Sequence, residues 1–167
     1  MRFVGGISPK GVISFPETVE STCEDVIVIS DYFGAASNII IEQVRKTALE
    51  NGYEIITLKN PFLPSLITDH IIIPELSLAF VTENSYINFK SDSRRIHARR
   101  FTINKLLHQS KERIKFNKKA INHLLNSASD TLLLAKTAHD KLESYYIEAM
   151  NFHELNKFAE KFCKKLF

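Results

Sequence analysis

The stretch VIVISDYFGAASNIII, residues 26–41, restricts the fold more than any other part of the chain. Val26, Ile27, Val28 and Ile29 form a continuous apolar run, the pattern of a strand buried on both faces of a parallel sheet. A loop with Gly34 follows, and then an apolar helix start at Ile39, Ile40 and Ile41. Strand, glycine loop and helix in this order is the layout of a phosphate-binding loop. The lysine of such a loop is missing, and Ser37 stands in its place. The stretch is therefore an altered anion site or an ordinary strand-to-helix turn.

The neighbouring segments extend an α/β reading. Residues 3–8 and 11–15 are short β-rich runs joined by Pro9 and Lys10, which predicts a hairpin. Residues 35–51 predict a helix, with Ile40, Val44 and Ala48 at four-residue spacing and Gly52 placed for its C-terminal cap. Residues 53–58 and 76–82 predict further strands. Between them, NPFLPSLITDH reads as a proline-broken connection. At 167 residues the chain suffices for one domain with a proper core. No apolar run reaches the roughly 18 residues of a membrane span, and no secretory signal opens the sequence, so a cytoplasmic protein with no membrane contact is expected. Cys23 and Cys163 have no metal or redox spacing and read as free thiols.

The second half differs. From about Arg94 onward there is neither glycine nor proline, and helices are expected throughout. Ile121, Leu125, Ala128, Leu132, Ala135, Ala138, Leu142, Tyr145 and Ala149 make an apolar stripe, on one long helix or on two broken near residues 126–130. A last helix carries Phe158, Phe162 and Leu166 on one face, with Asn151 in the N-cap position and Glu154 three residues on. Charge is uneven. Residues 1–89 hold 5 Lys/Arg and 11 Asp/Glu, whereas residues 90–119 hold 11 and 2. In that basic run Arg94, Arg95, Arg99 and Arg100 form two doublets. They read as phosphate or nucleic-acid contacts, or as a face that docks on the acidic first half. No HExxH or HxxxH pair supports a metal site, and His139 reads as an ordinary helix residue.

The segments GGISPKGVISF, LENGYEI, SLITDHIIIPELSLAFV and AKTAHDKLESYYIEAMNF follow one another in an order that resembles an uncharacterised bacterial family of tandem P-loop ATPase-like proteins. The chain looks like a single half of such a protein, closest to the second half. The resemblance covers about residues 3–83 and 130–167. It implies a P-loop NTPase-like α/β fold with a small, mostly parallel sheet and an appended helical segment. The implied layout is one domain over residues 1–167: an α/β core over 1–84, a basic helical insertion over 85–128, and C-terminal helices over 129–167.

In that family the loop reads like GxPGTGKST, an intact Walker A motif. Laid onto this chain the motif falls on DYFGAASNI. Asp31 replaces the first glycine, Gly34 remains, Ala36 replaces the glycine before the lysine, Ser37 the lysine, and Asn38 the metal-binding hydroxyl residue. Losing the lysine removes the point charge on the terminal phosphates, and Asp31 brings a negative charge to the mouth of the site. Tyr32 and Phe33 are bulky enough to fill the cavity. The acidic Walker B position falls on Thr82, and Glu83 is shifted by one residue to the other strand face. The resemblance therefore implies a degenerate P-loop domain, non-catalytic, acting as an assembly or regulatory partner through self-pairing or pairing with an intact P-loop relative. The residues leave two alternatives: weak ATP or phosphate binding at Asp31, Gly34, Ala36, Ser37 and Asn38, or a nucleic-acid module built on residues 90–119. No cofactor is expected under the first reading; ATP with magnesium belongs to the second.

Overall fold

Val28 and Ile29 point to opposite faces of one sheet, and both are completely buried in the computed structural model, which describes residues 2–90 and 92–166. They belong to β3 (Asp25–Ser30), the strand on which the architecture is organised. Ahead of it lie the hairpin β1 (Gly5–Ser8) and β2 (Gly11–Ser14) and a single turn, α1 (Glu17–Glu20). The hairpin is tight: a Cβ at Gly5 would overlap the carbonyl oxygen of Ile13. After β3 come α2 (Ala35–Glu50), β4 (Ile56–Lys59), β5 (Thr68–Ile73), β6 (Leu78–Glu83) and β7 (Arg94–His97). The chain closes with α3 (Asn104–Gln109), α4 (Lys111–Ala149) and α5 (Phe152–Leu166).

The five-stranded sheet has the order β4-β5-β6-β3-β7. Its pairing is mixed, not mostly parallel. β3 runs parallel to β6 and to β7, while β5 is antiparallel to both β4 and β6. The difference from expectation lies in β5, whose first residues Thr68, Asp69 and His70 read as loop. All six residues of this strand are buried, and partners satisfy the polar ones. The Asn60 amide donates to Asp69 Oδ2 at 2.9 Å, and His70 Nδ1 accepts the Thr82 N–H at 3.1 Å. Thr82 Oγ1 in turn donates to the Asp69 carbonyl at 2.8 Å. A polar strand can be central when its neighbours supply its hydrogen bonds.

Period-two alternation divides the core between the two faces of the sheet. On one face Ile29, Ile71 and Ile73 pack with Ile41 and Ala48 of α2. On the other, Val28, Ile72, Ala79 and Val81 pack with Val4, Val19, Ile87 and Phe89. Covering both faces explains why β3 reads as an unbroken apolar run.

The basic segment is not wholly helical. Arg94–His97 form the edge strand β7, and a 3-10 turn at Ala98–Phe101 follows. Four residues are too short for a periodic signal, and pairing with β3 supplies what local propensity does not. α4 is one unbroken helix of 39 residues, about 58 Å long at 1.5 Å per residue. Its first half packs against the hairpin, and the Tyr86 hydroxyl donates to Asn122 Oδ1 at 3.0 Å. Ser129 is its one buried residue. From Asp130 to Leu166 every residue is exposed. Asn151 caps α5, its Oδ1 accepting the Glu154 N–H at 3.2 Å.

Candidate functional site

The loop between β3 and α2 lies at the carboxyl end of the sheet, where open α/β sheets bind ligands. Asp31 leaves the sheet with its N–H still donated to the Glu83 carbonyl at 3.0 Å. The chain then turns through Tyr32, Phe33 and Gly34, and Gly34 takes the left-handed φ of 71° that glycine adopts without strain. Ala35 opens the helix.

Asp31 is only 4% exposed, and its carboxylate sits inside this turn. Oδ1 accepts the Phe33 N–H at 3.0 Å and Oδ2 accepts the Ser37 N–H at 2.9 Å. Burial pushes the Asp31 carboxyl upward, but the donors from Ser37, Phe33 and Gly34 outweigh it and hold the group below the usual carboxylate range. The Phe33 and Ser37 amides at the start of α2 are thus bonded to a side chain of the same loop. The helix terminus, equivalent to about half a positive charge, already faces an anion.

The five loop residues singled out in the sequence therefore divide. Asp31 and Ala36 line an open cavity of about 850 Å³. Ser37 is buried beneath it, holding Asp31. Gly34 supplies the turn. Asn38 instead borders a shallow groove along α2, and its Oδ1 is hidden without a hydrogen-bond partner among the described residues. Tyr32 and Phe33 do not plug the cavity; they stand on its wall, 59% and 52% exposed. Lys118 Nζ lies 6.0 and 5.8 Å from their ring centroids, within cation–π range. Phe101, Ile103, Leu106 and Ile114 also line the cavity. These residues were not singled out in the sequence; apolar positions recurring within a basic run were the signal.

Thr82, which the resemblance placed at an acidic position, is bonded to His70 and Asp69 of β5, as described above. Glu83 accepts the Phe89 N–H at 3.3 Å and pairs with Arg95 at 3.1 Å. Burial raises the Glu83 carboxyl, and the Arg95 and Phe89 hydrogen bonds more than reverse the effect, leaving it lowered. Arg95 also donates to the carbonyls of Phe89 and Lys90. Replacing Arg95 by alanine would strand a nearly buried carboxylate and two carbonyls. Arg95→Ala is expected to cost about 2 kcal/mol in urea unfolding, and Arg99→Ala to change stability by less than about 0.5 kcal/mol.

The four arginines do not act as a unit. Arg94 pairs with Asp25 at 3.2 Å on the surface, Arg95 closes the Glu83 site, Arg99 lines the cavity, and Arg100 lies 5.8 Å over the Phe101 ring. Lys90 pairs with Glu20 at 3.5 Å. Part of the basic run is therefore tied to the acidic first half.

No protein-family model matches the chain, and neither a curated protein nor a solved structure does. Among the described residues no helix is long and apolar enough to cross a membrane.

Proposed function

We propose that this chain is a non-catalytic, degenerate P-loop ATPase-like domain that works as an assembly or regulatory partner. The observation that carries this reading is the Asp31 carboxylate, bonded to the loop amides at 2.9 and 3.0 Å where an ATPase would hold phosphate. A triphosphate entering there would meet a buried negative charge, with Ser37 where a Walker lysine would stand. At an effective dielectric of about 20, two unit charges 4 Å apart repel by roughly 4 kcal/mol before screening. Glu83, the acidic side chain nearest the Walker B position, is neutralised by Arg95. The exposed apolar residues of α4 and α5 supply a surface for assembly, with a second copy or with an intact P-loop relative.

ATP with magnesium at millimolar concentration is expected to leave the melting temperature unchanged, because a ligand stabilises only the state it binds. A saturable rise in melting temperature would overturn the reading and return the chain to the nucleotide-binding class. The nucleic-acid reading is disfavoured by the pairing of Arg94 and Arg95 inside the chain.

A further inference from the structure

The apolar stripe of α4 is covered for half its length and bare for the other half. Leu125 and Ala128 are half-buried where α4 packs on the hairpin. Beyond them three- and four-residue steps run through Leu132, Ala135, His139, Leu142, Tyr146 and Ala149, all exposed, which differs from the stripe read in the sequence by taking His139 for Ala138 and Tyr146 for Tyr145. This is the heptad spacing of a helix that pairs with another helix. Resting on the assembly reading above, we infer that the occupant is a second copy of this chain, its α4 laid antiparallel along the bare segment.

Three features favour that occupant. First, the large residues Leu132, His139 and Tyr146 take one heptad position along the bare stripe, while Ala135 and Ala149 flank Leu142 at the other. Antiparallel helices set one position against the other. With the twofold axis between Asp140 and Lys141, Leu132 meets Ala149 of the second copy, and Ala135 meets Tyr146. His139 meets Leu142. Two of these three layers then combine a large residue with a small one and fill evenly, as close packing requires. A parallel pair would crowd Leu132 and Tyr146 against themselves and leave Ala135 against Ala135.

Second, the flanking charges agree with the same register. Lys136 falls beside Glu143 of the second copy on both sides of the axis, and opposite charges at these flanking positions set helix orientation. Within its own helix Lys136 contacts Asp140 at 2.6 Å, on the exposed side. Third, the lengths match. The bare segment runs from Asp130, just after the last buried residue Ser129, to Ala149, where extended backbone at Met150 breaks the helix. In this register the break in one copy falls opposite the point where the other copy's α4 returns to its own hairpin.

The test uses the full chain. Light scattering after gel filtration, over a concentration series, is expected to give twice the 19.1 kDa chain mass. Leu132→Asp with Leu142→Asp is expected to halve that mass with helicity unchanged by circular dichroism, since both side chains are exposed. Orientation is read by cross-linking in a Cys163→Ser background. An equimolar mixture of Lys136→Cys and Glu143→Cys chains should form a disulfide-linked dimer, and Lys136→Cys alone should not. A monomer at every concentration, or a dimer indifferent to the two aspartates, overturns the inference. Cross-linking of Lys136→Cys chains to one another overturns the antiparallel arrangement. A solitary monomer rejects self-pairing and leaves the non-catalytic reading standing, whereas a melting shift with ATP rejects that reading whatever the mass.

Discussion

Replacing Asp69 by asparagine is expected to stabilise the fold at pH 7 and to make it acid-labile. The two effects arise from adjacent residues at the start of β5. Burial pushes the Asp69 carboxyl up to about 6, partly offset by the Asn60 hydrogen bond, and pushes the completely buried His70 imidazole down to about 3. The signs oppose each other. Asp69 holds its proton longer in the folded state than in the unfolded chain, so its contribution falls as pH rises from about 4 to about 6. His70 stays neutral when folded but takes a proton when unfolded, so its contribution falls as pH drops from about 6.5 to about 3. Each slope is about 1.4 kcal/mol per pH unit, and over the shared window they nearly cancel. Protonation of His70 at Nδ1 also abolishes the bond from the Thr82 N–H. In Asp69→Asn the histidine slope stands alone. Urea unfolding between pH 7 and pH 4 should show a loss of about 3 kcal/mol in the variant and much less in the wild type. Parallel curves for the two proteins would refute the assignment.

The second large effect falls on the loop. Asp31→Ala removes a buried anion and leaves the Phe33 and Ser37 amides without their acceptor. Hydrogen bonds to charged groups contribute about 1.5–3 kcal/mol, and the helix terminus adds up to about 1 kcal/mol, so a loss of about 3 kcal/mol is expected in denaturant. Because the carboxyl is held below its ordinary value when folded, the stabilisation is complete above about pH 4 and is lost as pH falls through the lowered folded value. The same substitution vacates an anion site. Inorganic phosphate at millimolar levels should raise the melting temperature of Asp31→Ala and leave the wild type unmoved. A wild type that responds equally would mean that Asp31 does not occupy the site.

Both sites show what the sequence exposes and what it conceals. The hairpin, β3 and α2 were legible because each repeats a local pattern: alternation, an unbroken apolar run, and a four-residue step closed by Gly52. β5 was hidden because Asp69 and His70 are polar, and only their partners Asn60 and Thr82, elsewhere in the chain, make them buried. β7 was hidden inside a basic run because its order comes from pairing with β3, more than sixty residues upstream. At the loop, spacing singled out Asp31, and the resemblance set Ser37 where it implies a lysine, but both presented the carboxylate as a charge that repels ligands. Its bonds to the Phe33 and Ser37 amides depend on the turn's geometry, which residue identity does not encode. Arg95 looked like half of a surface doublet until Glu83, from a neighbouring part of the sheet, appeared beside it.

The position of β3 in the sheet also sets the order of events during synthesis. Both of its neighbours, β6 and β7, follow it in the chain, and the second is complete only at His97. At ribosomal rates of about 5–20 residues per second, the most apolar strand of the protein waits roughly 3–13 s before its last edge can be closed. Both edges of Val26–Ile29 stay unpaired until β6 is made, and one stays so until β7 is complete, the kind of segment that nucleates β-aggregation. The nascent chain is thus most vulnerable at the element that later anchors it, and a chaperone acting on this protein has its clearest target there.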